Sequence, residues 1–409
     1  MRLALFISLT LFAAMATLGA AMASESTENV SGAIFPTPPI VKRQADFWVK
    51  VFKRYNSSAV VIHDPEFVDL IIDVVDFNTF KEKYNQGQGF SRRERKEILN
   101  RYIERYQLAI NRLQKIGKKA LDYGPMEQRV LQVYSRRKEA LARLFTEEIY
   151  LRTQQGMADE FPRAAERAEN YLPYMERIFR SRGLPSDLTR IAFVESMFNK
   201  EALSKVGASG VWQFMPETAR LFMTVNSYVD ERLSPLKASY GAAVLLGENQ
   251  NLLKSWPLAI TAYNHGPNGM QRAVKAVGSR DFDEILRNYH SPSFGFASRN
   301  FYSEFIAARQ VYREEYQGKS AVSRNPLRID RIRLEEPISI HQLLTSTPLK
   351  QQVLAEYNRC LLPKAFSTHR YKPLPKGFEI IVPEDLAASV RTAVKQLSYG
   401  RSNPSKARL

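Results

Sequence analysis

A mainly α-helical protein of more than one domain is what this sequence predicts, on three observations. Apolar residues recur at three- and four-residue steps: Leu99, Ile103, Tyr106, Ile110 and Leu113 mark one face, with Arg, Glu, Asn and Lys between them. Gly, Pro and Ser punctuate residues 166–318 at short intervals, as in a series of short helices. Hydrophobic residues make up 44% of the 409, enough to fill two or three cores and too many for a disordered chain.

The elements follow in order. Residues 1–23 read as a secretory signal: Arg2 begins it, an apolar run extends from Leu3 to Ala21, and Ala21-Met22-Ala23 is an A-x-A cleavage site. Residues 24–46, with Pro36, Pro38 and Pro39, read as a linker. Residues 47–165 read as a helical N-terminal domain, with a second periodic run from Met126 to Leu151; His63-Asp64-Pro65 reads as a turn. The block 166–318 follows, then a polar linker. At Leu327 the character changes: Leu327–Leu334 and Phe378–Val382 look like strands, and Ser339–Leu344 and Leu349–Tyr357 like short helices. Residues 327–387 are therefore expected to form a small α/β module, and 388–409 a basic tail continuing an amphipathic helix from Asp385.

Charge and composition narrow the functional classes. Lys and Arg number 59 against 42 Asp and Glu, a formal charge of +17. On an exported chain this bias suits an anionic wall polymer or a membrane surface better than nucleic acid. No later stretch has the roughly 18 apolar residues of a membrane span. The single cysteine, Cys360, excludes a disulfide framework and a CxxC centre, and the five histidines lie far apart with no HExxH spacing. No metal or cofactor is implied, and a monomer is expected.

Chemistry concentrates in 166–318. Gly183-Leu-Pro-Ser-Asp-Leu188 is a loop leading into a helix through Phe198. On it Glu195 is flanked by Ala192, Phe193, Val194, Met197 and Phe198, a setting that desolvates a carboxyl and raises its pKa, as a general acid requires. Gly207 and Gly210 then let the backbone pass close to a ligand, before Gln213, Met215 and Pro216. A further helix ends in Thr261-Ala-Tyr-Asn-His-Gly266.

Three marks in register, Glu195-Ser196, Gly210-Val-Trp-Gln-Phe-Met-Pro216 and Ala262-Tyr-Asn-His-Gly266, resemble the catalytic domain of the lytic transglycosylases, the lysozyme-like enzymes that cut peptidoglycan. The Trp and the small C-terminal module look most like the membrane-bound type D branch. Strand–helix–helix–strand in 327–387 resembles a LysM carbohydrate-binding module. The resemblance implies cleavage of the β-1,4 bond between MurNAc and GlcNAc to 1,6-anhydroMurNAc ends, with Glu195 as acid and then base. It implies peptidoglycan strands as partner, and location in the periplasm or cell envelope. It gives Ser204 a contact with the substrate sugar, Gln213 the cleft lining, Met215 the acetamido pocket, and Tyr263 and Asn264 the flanks of the Glu. The family's last mark, E-T-[RK]-x-Y-V, is altered here to Ala297-Ser-Arg-Asn-Phe-Tyr302. Either Tyr302 supplies the family hydroxyl or, with Phe301 in that place, it is missing. Within the same fold a hydrolytic muramidase would need a second acid, for which Glu201, Glu217, Asp230 and Glu231 are the nearby residues. A catalytically weak wall-binding scaffold is the reading outside enzymes.

Overall fold

In a computed structural model of the chain, residues 34–116, 123–318 and 326–402 are described. The expected signal segment 1–23 and the last residues of the basic tail lie outside them, as does most of the polar linker.

The chain begins with α1 (Pro39–Lys53), then β1 (Ala59–His63) and β2 (Ile71–Asp76). Next come α2 (Phe77–Tyr84), α3 (Arg92–Ile116), α4 (Pro125–Tyr134), α5 (Lys138–Thr146) and β3 (Arg152–Gln155). The strands form an antiparallel sheet in the order β2-β1-β3. The N-terminal domain is thus not purely helical as expected. Ala59-Val-Val-Ile-His63 and Ile71-Ile-Asp-Val-Val-Asp76 are rich in β-branched residues that prefer a pleated surface. Its core joins the sheet to α3, α4 and α5 through Ile62, Ile72, Tyr106, Ile110, Val130, Tyr134 and Leu144.

The expected linker 24–46 is also corrected over its described part. Pro39 stands in the first turn of α1, where its missing N–H costs nothing and its fixed φ favours the helix, so the prolines start an element. Phe35, 2% exposed, packs on Trp256 and Phe305. Phe35 and α1 therefore share the core of the block that follows, through Val41, Phe47, Trp48 and Val51.

That block contains α6 (Glu160–Glu169), α7 (Leu172–Ser181), a 3-10 turn (Ser186–Arg190), α8 (Ile191–Ser196), α9 (Pro216–Ala219) and a second 3-10 turn (Glu231–Leu233). It continues with α10 (Pro235–Leu253), α11 (Trp256–His265), α12 (Pro267–Val277), α13 (Phe282–Asn288) and α14 (Phe296–Glu315). Helix α14 is the axis: α1, α8 and α11 pack on it. Trp48 Nε1 donates to Asn300 Oδ1 (3.3 Å) and Ser303 Oγ to Gln44 Oε1 (2.7 Å), fixing α1 on one side of α14.

Residues 327–387 keep the expected order and add to it. β4 (Ile329–Arg333) is followed by β5 (Ile338–Ser339), α15 (Ile340–Ser346), α16 (Gln351–Tyr357), α17 (Pro363–Phe366), β6 (Pro373–Leu374), β7 (Glu379–Pro383) and α18 (Glu384–Ser402). β4 pairs antiparallel with β7, and β5 with β6. A second strand pair and a third helix distinguish the module from the four-element pattern expected. It docks on the preceding block where Asp230 N–H donates to the Cys360 carbonyl (2.8 Å). Burial pushes the Cys360 thiol up to about 12, so it acts as core and not as a nucleophile.

Candidate active site

Helix α8 is short because its last turn is broken by two successive left-handed residues, Met197 (φ 50°) and Phe198 (φ 56°). The helix expected to run through Phe198 therefore stops at Ser196. The Met197 N–H bonds back to the Phe193 carbonyl (3.0 Å) and the Phe198 N–H to that of Ala192 (3.1 Å). A left-handed non-glycine residue costs roughly 1–2 kcal/mol, and here the burial of Phe193, Met197 and Phe198 offsets it. Gln213 also has positive φ (47°). Strain of this kind concentrates where surrounding structure holds functional side chains in place, and all three positions lie close in sequence to Glu195 or to the glycine-bearing segment.

Hydrogen bonds lock that segment to the helix. Ser196 Oγ donates to the Val211 carbonyl (2.9 Å), and Tyr263 Oη on α11 donates to the Trp212 carbonyl (2.8 Å). Trp212 is fully buried; its Nε1 donates to Ser239 Oγ (2.8 Å) and its ring stacks on Phe179. Gln213 Nε2 donates to the carbonyls of Gly210 (2.8 Å) and Ala202 (3.2 Å). Ser204 closes the turn before it: its Oγ accepts from Ala208 N–H (2.9 Å). Met215 lies at the N-terminus of α9 with 37% exposure. Asn264 is exposed, and its Oδ1 accepts from Ser298 Oγ on α14 (2.8 Å), which orients the amide. Glu195, Gln213 and Tyr263, each half-buried, are thereby joined through one short backbone segment; Ser204 is half-buried too, and Met215 and Asn264 are exposed.

Tyr302 is not part of this arrangement. It is fully buried on the far side of α14, its hydroxyl donating to the Pro36 carbonyl (2.9 Å) and its ring packed on Phe282 and Phe305. Its assignment to substrate is corrected accordingly. Phe301, one residue earlier and about 100° around the helix, stacks on Tyr263 with ring centroids 6.3 Å apart and planes 8° apart.

Electrostatics separate Glu195 from the acids considered beside it. Glu201 pairs with Arg359 (3.1 Å), Asp230 with Arg232 (2.7 Å) and Glu231 with Lys237 (2.6 Å). Glu217 is an exposed residue in the first turn of α9, where negative charge is favoured. Among the described residues Glu195 has neither a hydrogen bond nor an ion pair. Half-buried among apolar neighbours, its carboxyl is pushed by desolvation up to about 8, with a smaller contribution from the charge of Glu304. Glu304 on α14 was not anticipated; desolvation raises it to about 8 as well. The available signal was a lone acid within the apolar run Phe301-Tyr-Ser-Glu-Phe-Ile-Ala-Ala308. Tyr263, desolvated and close to the charge of Glu195, stays a phenol at any working pH.

Residues 176–286 match the family model of the transglycosylase SLT domain. The chain is 21% identical over 249 residues to membrane-bound lytic murein transglycosylase D of Escherichia coli strain K12, covering 59% of this chain and 54% of that protein. It is 34% identical over 84 residues to the transglycosylase of Enterobacteria phage PRD1, covering 20% of this chain and 30% of that one. The chain thus spans about half, or less, of the length of these relatives. Among solved structures, the 70 kDa soluble lytic transglycosylase of Escherichia coli aligns at 15% identity over 73% of this chain and 55% of its own, with a TM-score of 0.30.

Proposed function

Residues 176–286 belong to the transglycosylase SLT domains of the lytic transglycosylases, and from that premise we propose that this protein cleaves peptidoglycan without consuming water. The observation that carries the reading is the place of Glu195, a half-buried carboxyl with no partner among the described residues, at the strained end of α8 beside Tyr263; burial raises its pKa to about 8, which favours the acid form at neutral pH. Glu195 gives its proton to the oxygen bridging MurNAc and GlcNAc as the anomeric C–O bond breaks. The substrate's acetamido group supports the anomeric carbon, so no protein nucleophile is required. The Glu195 carboxylate then takes the proton of the muramic 6-hydroxyl, whose oxygen bonds to the anomeric carbon. One proton passes from O6 through Glu195 to the leaving oxygen, and the product is a 1,6-anhydro sugar.

Gln213, Ser204, Met215 and Asn264 are proposed to bind the sugar, and Tyr263 to hold the wall behind Glu195. The exported state and a place in the cell envelope belong to the same reading; among the described residues no helix is long and apolar enough to cross a membrane. Residues 327–387 are proposed to hold glycan next to the catalytic block.

Digestion of purified sacculi followed by mass spectrometry of the muropeptides tests the reaction. Anhydro ends are expected. Reducing ends in their place would indicate a hydrolytic muramidase, and no release with retained sacculus binding a scaffold. Because the acid form of Glu195 is required and its pKa is raised to about 8, turnover should fall as pH rises through that value. A second variant checks who is in the site. Tyr302→Phe removes the bond to Pro36 and should lower stability by about 1 kcal/mol, with muropeptide release unchanged at a temperature where both forms are folded. A tenfold loss of turnover there would return Tyr302 to the site.

A further inference from the structure

Four residues on one stripe of α14, Phe301, Glu304, Ala308 and Tyr312, follow one another at three- and four-residue steps. Ring contacts pin both ends. Phe301 stacks on Tyr263 of α11, and the Tyr312 ring lies 5.4 Å from that of Phe193 on α8, two residues before Glu195. Glu304 lies between these contacts, on the face of α14 that α8 and α11 cover. Like Glu195, it makes no hydrogen bond or ion pair among the described residues. We infer that Glu304 is a positioning residue of the same centre, a second carboxyl that faces Glu195 and governs when Glu195 can lose its proton.

The physical reason is the partial burial of both carboxyls, each half-covered by apolar neighbours. Two carboxylates close together in a medium that solvates charge badly cannot both ionise cheaply, so the pair loses its protons in sequence. Burial raises both carboxyls, and the charge of Glu304 adds to the effect at Glu195, so the two steps belong to the pair. Other charges around α14 have partners of their own. Asp187 pairs with Arg309, Arg190 with Glu176, and Lys53 with Glu314 and Glu315. Arg299 donates to the carbonyls of Leu286 and Tyr289. From α11 the facing group is Tyr263, and α1 offers the uncharged Gln44 and Trp48 to Ser303 and Asn300.

In the cycle Glu195 is briefly an anion. A neutral Glu304 permits that charge, and an ionised one opposes it. Without its neighbour, Glu195 would remain a desolvated acid, but one that loses its proton at lower pH. The inference rests on the proposed transglycosylase reading for its purpose, but its test does not.

Carboxyl 13C NMR on the full chain labelled at Glu reads the two side chains directly, assigned from Glu195→Gln and Glu304→Gln. In the parent the pair should titrate in two steps. In Glu304→Gln the Glu195 midpoint should fall by about one pH unit, and the alkaline limb of muropeptide release should move down with it. In Glu195→Gln, Glu304 should titrate in a single step, since coupling is reciprocal; this variant keeps the test alive if the first does not fold. A Glu195 midpoint unchanged in Glu304→Gln, or equal losses of rate at pH 5 and pH 8, would overturn the inference. Anhydro products from the parent, measured separately, decide the reaction itself.

Discussion

Glu195→Gln is expected to reduce release of anhydro-muropeptides by about 100-fold or more, the scale of removing general acid–base help. Gln keeps the size and planarity of the side chain but has no proton to pass to the leaving oxygen and no basic oxygen to recover one from O6. Glu195 makes no hydrogen bond among the described residues, so the substitution breaks none of the hydrogen bonds from Ser196 Oγ, Tyr263 Oη or Trp212 Nε1, and sacculus binding should survive. A variant that releases cyclised products at the parent's rate would remove Glu195 from the mechanism.

The same variant should be more stable than its parent at alkaline pH. Glu195 has a folded-state pKa of about 8 against an ordinary value of 4.5. The folded protein therefore binds this proton more tightly than the unfolded chain. The associated stability is fully present below the unfolded value and is lost as pH rises through the folded one. Thermal unfolding of parent and Glu195→Gln should diverge between pH 5 and pH 8, by a few kcal/mol in the variant's favour. That divergence measures what the chain sacrifices to keep an acid away from water. A constant gap across this range would mean that the carboxyl is hydrated.

Local motifs made the catalytic block legible, and long-range packing hid the rest. Glu195, Gln213 and Tyr263 could be picked out because each lies in a short run whose residue types are tied to one backbone geometry. A glycine turn, a proline at a helix start and a glycine stop all announce themselves. Glu304 and Tyr302 could not be sorted in the same way. They are two residues apart on one helix, yet Tyr302 turns to Pro36, while Glu304 shares a stripe with Tyr312, whose ring packs on Phe193 of α8. Only the packing of α1 and α11 on α14 decides which face is which. The role of α1 was lost for the converse reason: a proline-rich stretch looks like a linker until the aromatic residue within it, Phe35, is seen covered by Trp256 and Phe305. In the N-terminal domain the β-branched runs carried a readable strand signal that the surrounding helical periodicity outweighed.

Gly210→Ala should be the most damaging single substitution for the fold of the block. Two independent constraints meet at this residue. Its φ is +77°, where a side chain is strained, and an added Cβ would lie 2.0 Å from the Arg232 carbonyl oxygen. That oxygen cannot yield easily, since Arg232 is held by Asp230 through Nε (2.9 Å) and Nη2 (2.7 Å), and its Nη1 donates to the carbonyls of Gly207 (2.7 Å) and Phe214 (3.1 Å). Relief must come from the Gly210 side, which carries the Val211 carbonyl bonded to Ser196 and the Trp212 carbonyl bonded to Tyr263. A cost of about 4 kcal/mol or more follows, seen as a fall in Tm of roughly 10 °C, with turnover lost even in the fraction that remains folded. Gly207 provides the control: its φ is +90°, but nothing lies within 4 Å of an added Cβ. Gly207→Ala should therefore show the backbone strain alone, about 1 kcal/mol, and keep most activity. Equal costs at the two positions would mean that the close approach of Gly210 to Arg232 does not hold the Gln213 segment against α8.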